Sequence, residues 1–379
     1  MAETVVIIGA GFAGIGTAHK LLKYTTPKVK DLKVILISPS THHYWNIAAV
    51  RGILPDEIGD EELFHDIQNG FDKYSKDKFE FILGTATGID TASNSIQVDV
   101  ANHAKTITYT QLVIATGSSY PGQLPFTTVG TYEDSLGALH SLQKNVRDAK
   151  SIVIAGAGPT GVETAAELGY TYGESKQVTL IIGGDAPLPI LRPEIGKTAA
   201  MELGRLQVKI LQGVRVASLD KRGGQVSITL SDGRKVEADL FLPLYGMRPN
   251  TRFLPAQFLD EQGSLNLDKT LRVTGLDNVW GVGDAGNLEP KQLIYAERQA
   301  LHLADNLGAV LTGNSDSVKE LRPVVTPQVF VTLGKKKGTG QYNWVKVPSF
   351  VVNVAKGKTL FTEKASGLIA GKNIVRSAI

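Results

Sequence analysis

Short apolar runs rich in Val and Ile alternate along this chain with stretches whose apolar residues recur at helical spacing, and the same sequence of elements is written twice. Thr4-Val5-Val6-Ile7-Ile8 reads as a buried strand, Gly9-Ala10-Gly11-Phe12-Ala13-Gly14 as a tight turn, and Ile15 to about Tyr24 as a helix. Lys33 to Ile37 is the next predicted strand, followed by helical segments near Glu61 to Tyr74 and strands at Phe79 to Leu83, Ser95 to Val100 and Thr106 to Tyr109. A further strand ends in Ala115-Thr116-Gly117, and Ser118 to Pro125 reads as a linker. The order then restarts: Ser151 to Ala155 as strand, Gly156-Ala157-Gly158-Pro159-Thr160-Gly161 as turn, and Val162 to about Tyr172 as helix. Strands follow at Val178 to Ile182, Val208 to Leu211, Val226 to Leu230 and Asp239 to Leu244. After an excursion over Gly263 to Val273, Val279 to Val282 reads as a buried strand ending in Gly283-Asp284, and a helix is predicted from about Gln292 to Leu311.

This pattern predicts an α/β protein with two Rossmann-like dinucleotide-binding domains, the second inserted into the first, plus a small C-terminal α+β cap domain. The expected division is 1–120 with 246–320 for the first domain, 121–245 for the second and 321–379 for the cap. The cap carries strand-like Gln328 to Leu333, a glycine- and lysine-rich turn over Gly334 to Gly340, and the apolar run Pro348 to Val354. Glycine is required in such turns because the backbone must bend sharply, approach a pyrophosphate and let the helix pack on the strand, with phosphate at the positive helix N-terminus. Two turns in this context predict two dinucleotides held at once, an arrangement suited to passing electrons between them.

The length, 379 residues, suits two or three domains. Cysteine is absent, which excludes disulfides, thiolate metal ligands and a redox-active thiol pair. No apolar run reaches bilayer length. The first strand begins almost at Met1, so the expectation is no signal or transit peptide and a cytoplasmic location. Charge is uneven: from Lys319 onward eleven Lys and Arg stand against Glu320 and Glu363, a balance of +9, while the preceding chain holds 29 basic and 35 acidic residues. A cationic C-terminal segment on a mildly acidic body is consistent with a solvated surface, an anionic membrane surface or nucleic acid.

In their order, the first glycine turn, Ala115-Thr116-Gly117, the second turn with Gly161-Val162-Glu163, and Gly283-Asp284 resemble the two-dinucleotide FAD/NAD(P)H oxidoreductases. Ala48-Ala49-Val50-Arg51 and Lys356-Gly357-Lys358-Thr359-Leu360-Phe361 are similar to the apoptosis-inducing-factor-like, mitochondrion-associated group that includes ferroptosis suppressor protein 1-like quinone reductases. The resemblance implies FAD as cofactor, NADH or NADPH as co-substrate, and a quinone acceptor. It implies FAD contacts from Gly9, Gly11, Phe12, Ala13, Gly14, Arg51, Ala86, Thr116, Gly117, Gly283 and Asp284, and NAD(P)H contacts from Gly156, Gly158 and Gly161. Glu163 and Lys356 are its catalytic candidates, with Glu163 near the nicotinamide and flavin rings, whereas Glu167 reads as a packing or surface acid. Tyr44 and Trp45 are candidate walls of a flat quinone site or, as aromatic residues in a loop more often are, core plugs.

Two positions depart from the expected pattern. Ile37 is followed by Ser38 where an acid usually grips the adenosine ribose, and Ile182 by Gly183-Gly184-Asp185, which leaves use of both NADH and NADPH open. The apolar Pro348 to Val354 with flanking lysines suits peripheral docking on a bilayer, by resemblance the mitochondrial outer membrane or a lipid droplet, or equally closes the cap domain's own core. Homodimerisation is left open. An alternative reading is a redox-sensing flavoprotein that binds nucleic acid through its basic surface, for which the sequence offers no recognised nucleic-acid module.

Overall fold

The computed structural model describes residues 2–372 and 374. Glu3–Ile8 is the middle strand of a five-stranded parallel sheet in the spatial order Val279–Gly281, Gln111–Ile114, Glu3–Ile8, Leu32–Ser38, Phe79–Leu83. Val5 to Ile8 are all buried, as expected of a central strand covered on both faces. Helix Phe12–Tyr24 lies against helix Leu293–Leu311, closely enough that a Cβ on Gly16 would stand 3.4 Å from the Ala300 methyl.

A second parallel sheet, in the order Val208–Leu211, Gln177–Ile181, Ser151–Ala155, Leu240–Pro243, is built entirely from chain lying between strands of the first. The chain leaves the first sheet through Ser118–Ser119 and returns through Arg248–Pro249, and these two short strands pair antiparallel. Each parallel sheet is accompanied by a three-stranded antiparallel sheet: Thr85–Asp90, Ser95–Val100 and His103–Thr108 in one case, Val216–Arg222, Gln225–Leu230 and Lys235–Ala238 in the other.

Several elements differ from expectation. The helical stretch predicted over Glu61 to Tyr74 is broken into a short turn, Asp60–Leu63, and a 3-10 turn, Gln68–Gly70, on either side of strand Phe64–Asp66, which pairs with His42–Tyr44. Cross-strand pairing and the stacking of Tyr44 on Phe64, with centroids 4.6 Å apart, override a weak local helical preference. Helices Tyr132–Asp148 and Pro193–Arg205 were not anticipated. In the C-terminal block Gln328–Leu333 pairs with Lys337–Tyr342, so the glycine-rich turn is mostly strand. The apolar run forms helix Ser349–Val352 leading into a π-helical turn, Asn353–Gly357. Nor does this block have a core of its own: Val329, Val331, Leu333, Leu360 and Ala365 share one buried cluster with Trp45, Val162 and Leu168. Of the expected cap, Asn373 and residues 375–379 lie outside the described residues. Among those described, no helix is long and apolar enough to cross a membrane.

Candidate functional site: two glycine turns and the buried ion pairs beside them

The two turns solve the same steric problem with the same three positions. Gly9 has φ +106° and Gly156 φ +141°, values that disfavour a side chain; a Cβ on either would stand 2.4 Å from the Ala115 carbonyl oxygen or 2.3 Å from that of Leu244. A Cβ on Gly14 would lie 1.8 Å from the Gly9 oxygen, and one on Gly161 2.2 Å from the Gly156 oxygen, so the third glycine lets each helix close on its own turn. The middle glycines differ in kind: within 4 Å of a Cβ on Gly11 or Gly158 there is nothing. Open space there adjoins a helix N-terminus without a side-chain cap, whereas Thr131 and Asp134 form a full capping box on the helix Tyr132–Asp148. Uncapped amides beside open space fit the pyrophosphate of a dinucleotide.

Around the first turn, Phe12 and Ala13 begin the helix, and a Cβ on Gly283, where φ is +71°, would stand 3.3 Å from the Ala13 methyl. Asp284 therefore sits beside the start of that helix. Ser118 donates to Asp284 Oδ2 at 2.9 Å. Burial pushes the Asp284 carboxyl up, while the Ser118 hydrogen bond and the Lys291 charge oppose the shift. Thr116 Oγ1 is buried with no hydrogen-bond partner among the described residues, and Gly117, at φ +67°, again has open space beside it. Ala86 belongs to strand Thr85–Asp90, which continues from the sheet's edge strand; it pairs with Val98 next to a register shift. Ser38 is buried, and its hydroxyl accepts from the Ser40 amide at 3.2 Å, so it is tied into its own loop.

Glu163 and Lys356, 193 positions apart, meet as a buried ion pair with Nζ 2.6 Å from Oε1. The same Oε1 accepts from the Thr332 amide at 2.7 Å and its hydroxyl at 3.1 Å, and Lys356 Nζ also donates to the Phe330 carbonyl at 3.1 Å. All these bonds fall on Oε1; among the described residues none is made by Oε2.

The Arg51 guanidinium grips Glu167, with Nε to Oε2 at 2.9 Å and an Nη to Oε1 at 2.7 Å. It also donates to the Lys358 and Gly357 carbonyls, both at 2.9 Å. Glu167 is fully buried rather than a surface acid; burial raises its carboxyl and the Arg51 hydrogen bonds and charge lower it. Arg51 thus stitches the helix of the second turn to the C-terminal segment. Tyr44 and Trp45 are core plugs, 2 % and 1 % exposed, donating to the Pro125 carbonyl at 2.7 Å and the Leu360 carbonyl at 3.0 Å.

Two residues beside the turns escaped sequence reasoning. His43 is buried, its Nδ1 donating to the Ala10 carbonyl at 3.2 Å and its ring 4.7 Å from that of Phe12, while Nε2 has no partner among the described residues. Burial lowers its pKa to about 4, so it is neutral near pH 7. Tyr120 connects the two sites: burial raises its hydroxyl, a Thr160 hydrogen bond lowers it, and the nearby Asp284 charge raises it further. His43 in its short strand carries no motif, and nothing local marked either residue.

A pair of parallel sheets, each with its own phosphate-cradling turn, defines a two-dinucleotide oxidoreductase. The chain belongs to the Pyridine nucleotide-disulphide oxidoreductase family, which matches residues 3–300. It is 39% identical over 369 residues to oxidoreductase ptaL of Pestalotiopsis fici, covering 97% of this chain and 98% of that protein. It is 29% identical over 378 residues to ferroptosis suppressor protein 1 of Xenopus tropicalis, covering 95% and 94% respectively. Among solved structures, NDH2 from Plasmodium falciparum in complex with NADH superposes with a TM-score of 0.77 at 15% identity, over the whole of both chains. The sulfide:quinone oxidoreductase of Aquifex aeolicus does so with a TM-score of 0.77 at 18% identity, over 98% of this chain and 92% of that one. The chain is an NAD(P)H-dependent flavin oxidoreductase. Having no cysteine, it lacks the thiol pair its family's name refers to.

Proposed function

We propose that the protein is an NAD(P)H:quinone oxidoreductase with FAD at the first glycine turn and NAD(P)H at the second, the first domain spanning 1–120 and 246–320 and the second 121–245. The observation that carries this reading is the duplicated turn, with its middle glycine open and its helix uncapped in both copies. Amides at Gly11, Phe12 and Ala13 bind one pyrophosphate and those following Gly158 the other. Asp284, held by Ser118, accepts from a ribityl hydroxyl. Bound flavin supplies the two-electron carrier between nicotinamide and quinone. The overall reaction takes a hydride from NAD(P)H and a proton from solvent and yields NAD(P)+ and quinol.

Within it Lys356 and Thr332 hold Glu163 in one orientation, so that Oε2 positions the nicotinamide or passes the accompanying proton. A lipid-soluble acceptor is supported by the C-terminal surface, where Trp344 and Phe350 are 70% and 71% exposed, with Val345 and Val354 also bare and Lys336, Lys337 and Lys346 exposed on the same block. Aromatic and basic residues together suit an anionic bilayer surface.

The test is anaerobic spectroscopy. The purified protein should be yellow, bleach with NADH or NADPH, and recover its colour on adding a soluble ubiquinone analogue. A colourless preparation that FAD does not reconstitute overturns the reading, and bleaching without recovery by any quinone removes the acceptor.

A further inference from the structure

Beyond the strand Gln177–Ile181 the chain turns through Gly183 and Gly184, and the side chain of Arg215 lies across the first of them. A Cβ on Gly183 would stand 3.0 Å from Arg215 Nε, 3.2 Å from its Cγ and 3.6 Å from its Cδ, while one on Gly184 would meet nothing within 4 Å. Neither glycine has a positive φ, so backbone strain does not demand them. What the first provides is a bare surface for the arginine. This spot is tied to the second phosphate turn: the Gly156 amide donates to the Ile181 carbonyl at 3.0 Å, and the Leu188 amide to the Ala157 carbonyl at 2.8 Å. The Gly213 amide donates to the Gly184 carbonyl at 3.0 Å, which carries the chain on to Arg215 beside the same turn. Arg215 is exposed and makes no ion pair among the described residues.

A dinucleotide whose pyrophosphate rests on a glycine turn extends its adenosine over the end of the second strand, where the ribose 2′ position meets the first side chains beyond it. A carboxylate there accepts from a 2′-hydroxyl and repels a 2′-phosphate. This chain has two glycines in that place, with Asp185 exposed beyond them. A guanidinium supplies paired donors and a fixed charge matched to a phosphate. We propose that Arg215 forms a 2′-phosphate subsite, so that the second turn selects NADPH over NADH. This inference rests on the assignment of NAD(P)H to that turn.

Adenosine 2′,5′-bisphosphate and 5′-AMP, titrated calorimetrically into the flavin-loaded protein, isolate the 2′-phosphate. The bisphosphate should bind at least tenfold more tightly, a roughly 1.4 kcal/mol preference. Arg215→Gln should reduce the preference below threefold at equal flavin content, with Arg215→Lys retaining part of it. Gly183→Asp, which displaces the arginine and adds a carboxylate, should invert it. Equal affinities in the native protein, or an unchanged preference in Arg215→Gln, overturn the subsite. If NADH nonetheless bleaches the flavin, the functional reading stands and the subsite alone falls. If neither nucleotide binds and neither NADH nor NADPH bleaches the flavin, both fall together.

Discussion

The first and second glycine turns share a backbone solution and differ in their surroundings. In both, one glycine bends the chain, another admits the helix and the middle one faces open space. At the end of the second strand of each sheet they diverge: Ser38 is buried and bonded within its loop, whereas Gly183 carries an exposed arginine across it. The amide cradle is thus a general device for pyrophosphate, and the choice of dinucleotide falls to side chains a few residues away. The first turn also keeps the buried His43 against its own carbonyl, and no histidine occurs between residues 151 and 243.

Both turns are most sensitive at their third glycines. Gly14→Val and Gly161→Val each drive a side chain into a carbonyl oxygen and should cost more than about 4 kcal/mol, read as loss of soluble, cooperatively melting protein. Next in size are the buried ion pairs on the helix of the second turn. Arg51→Ala leaves Glu167 buried without its cation and should destabilise by about 3–5 kcal/mol in chemical denaturation, with proteolysis beginning in the C-terminal segment. Glu163→Ala strands Lys356 in the same way, about 3 kcal/mol. In stopped-flow it should also slow flavin reduction by tenfold or more at unchanged flavin content. An unaltered rate would reduce Glu163 to a structural role.

Acid separates the two halves more gently. Burial lowers His19 to about 3 and His43 to about 4, both below the ordinary value of 6.5. Between these limits these two side chains together bind about two more protons in the unfolded chain than in the folded one, so their contribution to stability declines as pH falls from 6.5 toward 4. Their share of the slope near pH 5 should be about 2.5 kcal/mol per pH unit. Both histidines lie in the chain of the first sheet, so limited proteolysis at pH 5 should open that half before residues 151–243. The smallest effect on the fold is expected at the middle glycines. At Gly11 and Gly158 a Cβ meets nothing within 4 Å, and Gly11→Val and Gly158→Val should change stability by under about 1 kcal/mol. Gly11→Val should purify without yellow colour, and Gly158→Val should keep its flavin yet fail to bleach with NADPH.

Local chemistry made the turns legible. Apolar runs of strand length and glycines at fixed offsets are properties of contiguous residues, and both copies stand where the periodicity placed them. The Glu61 to Tyr74 stretch was misread because its conformation is decided by pairing of Phe64–Asp66 with His42–Tyr44. Arg51 was singled out by the resemblance of its local context; its partner Glu167, 116 positions away, was invisible. Lys356 and Glu163 were each singled out by resemblance, but not their union through a C-terminal block that shares its buried cluster with Trp45, Val162 and Leu168 instead of closing a core of its own.

What the amino-acid order determined unaided is therefore the pair of strand–turn–helix units, the lack of thiol chemistry and the uneven charge, since each depends on neighbours along the chain or on composition. Tertiary structure alone decided which charges are spent on one another, Arg51 on Glu167 and Lys356 on Glu163, and which, like Arg215, stay available beside a turn. The reason is desolvation: an ionised group taken out of water needs a partner within hydrogen-bonding distance, and the fold, not the sequence interval, sets that distance.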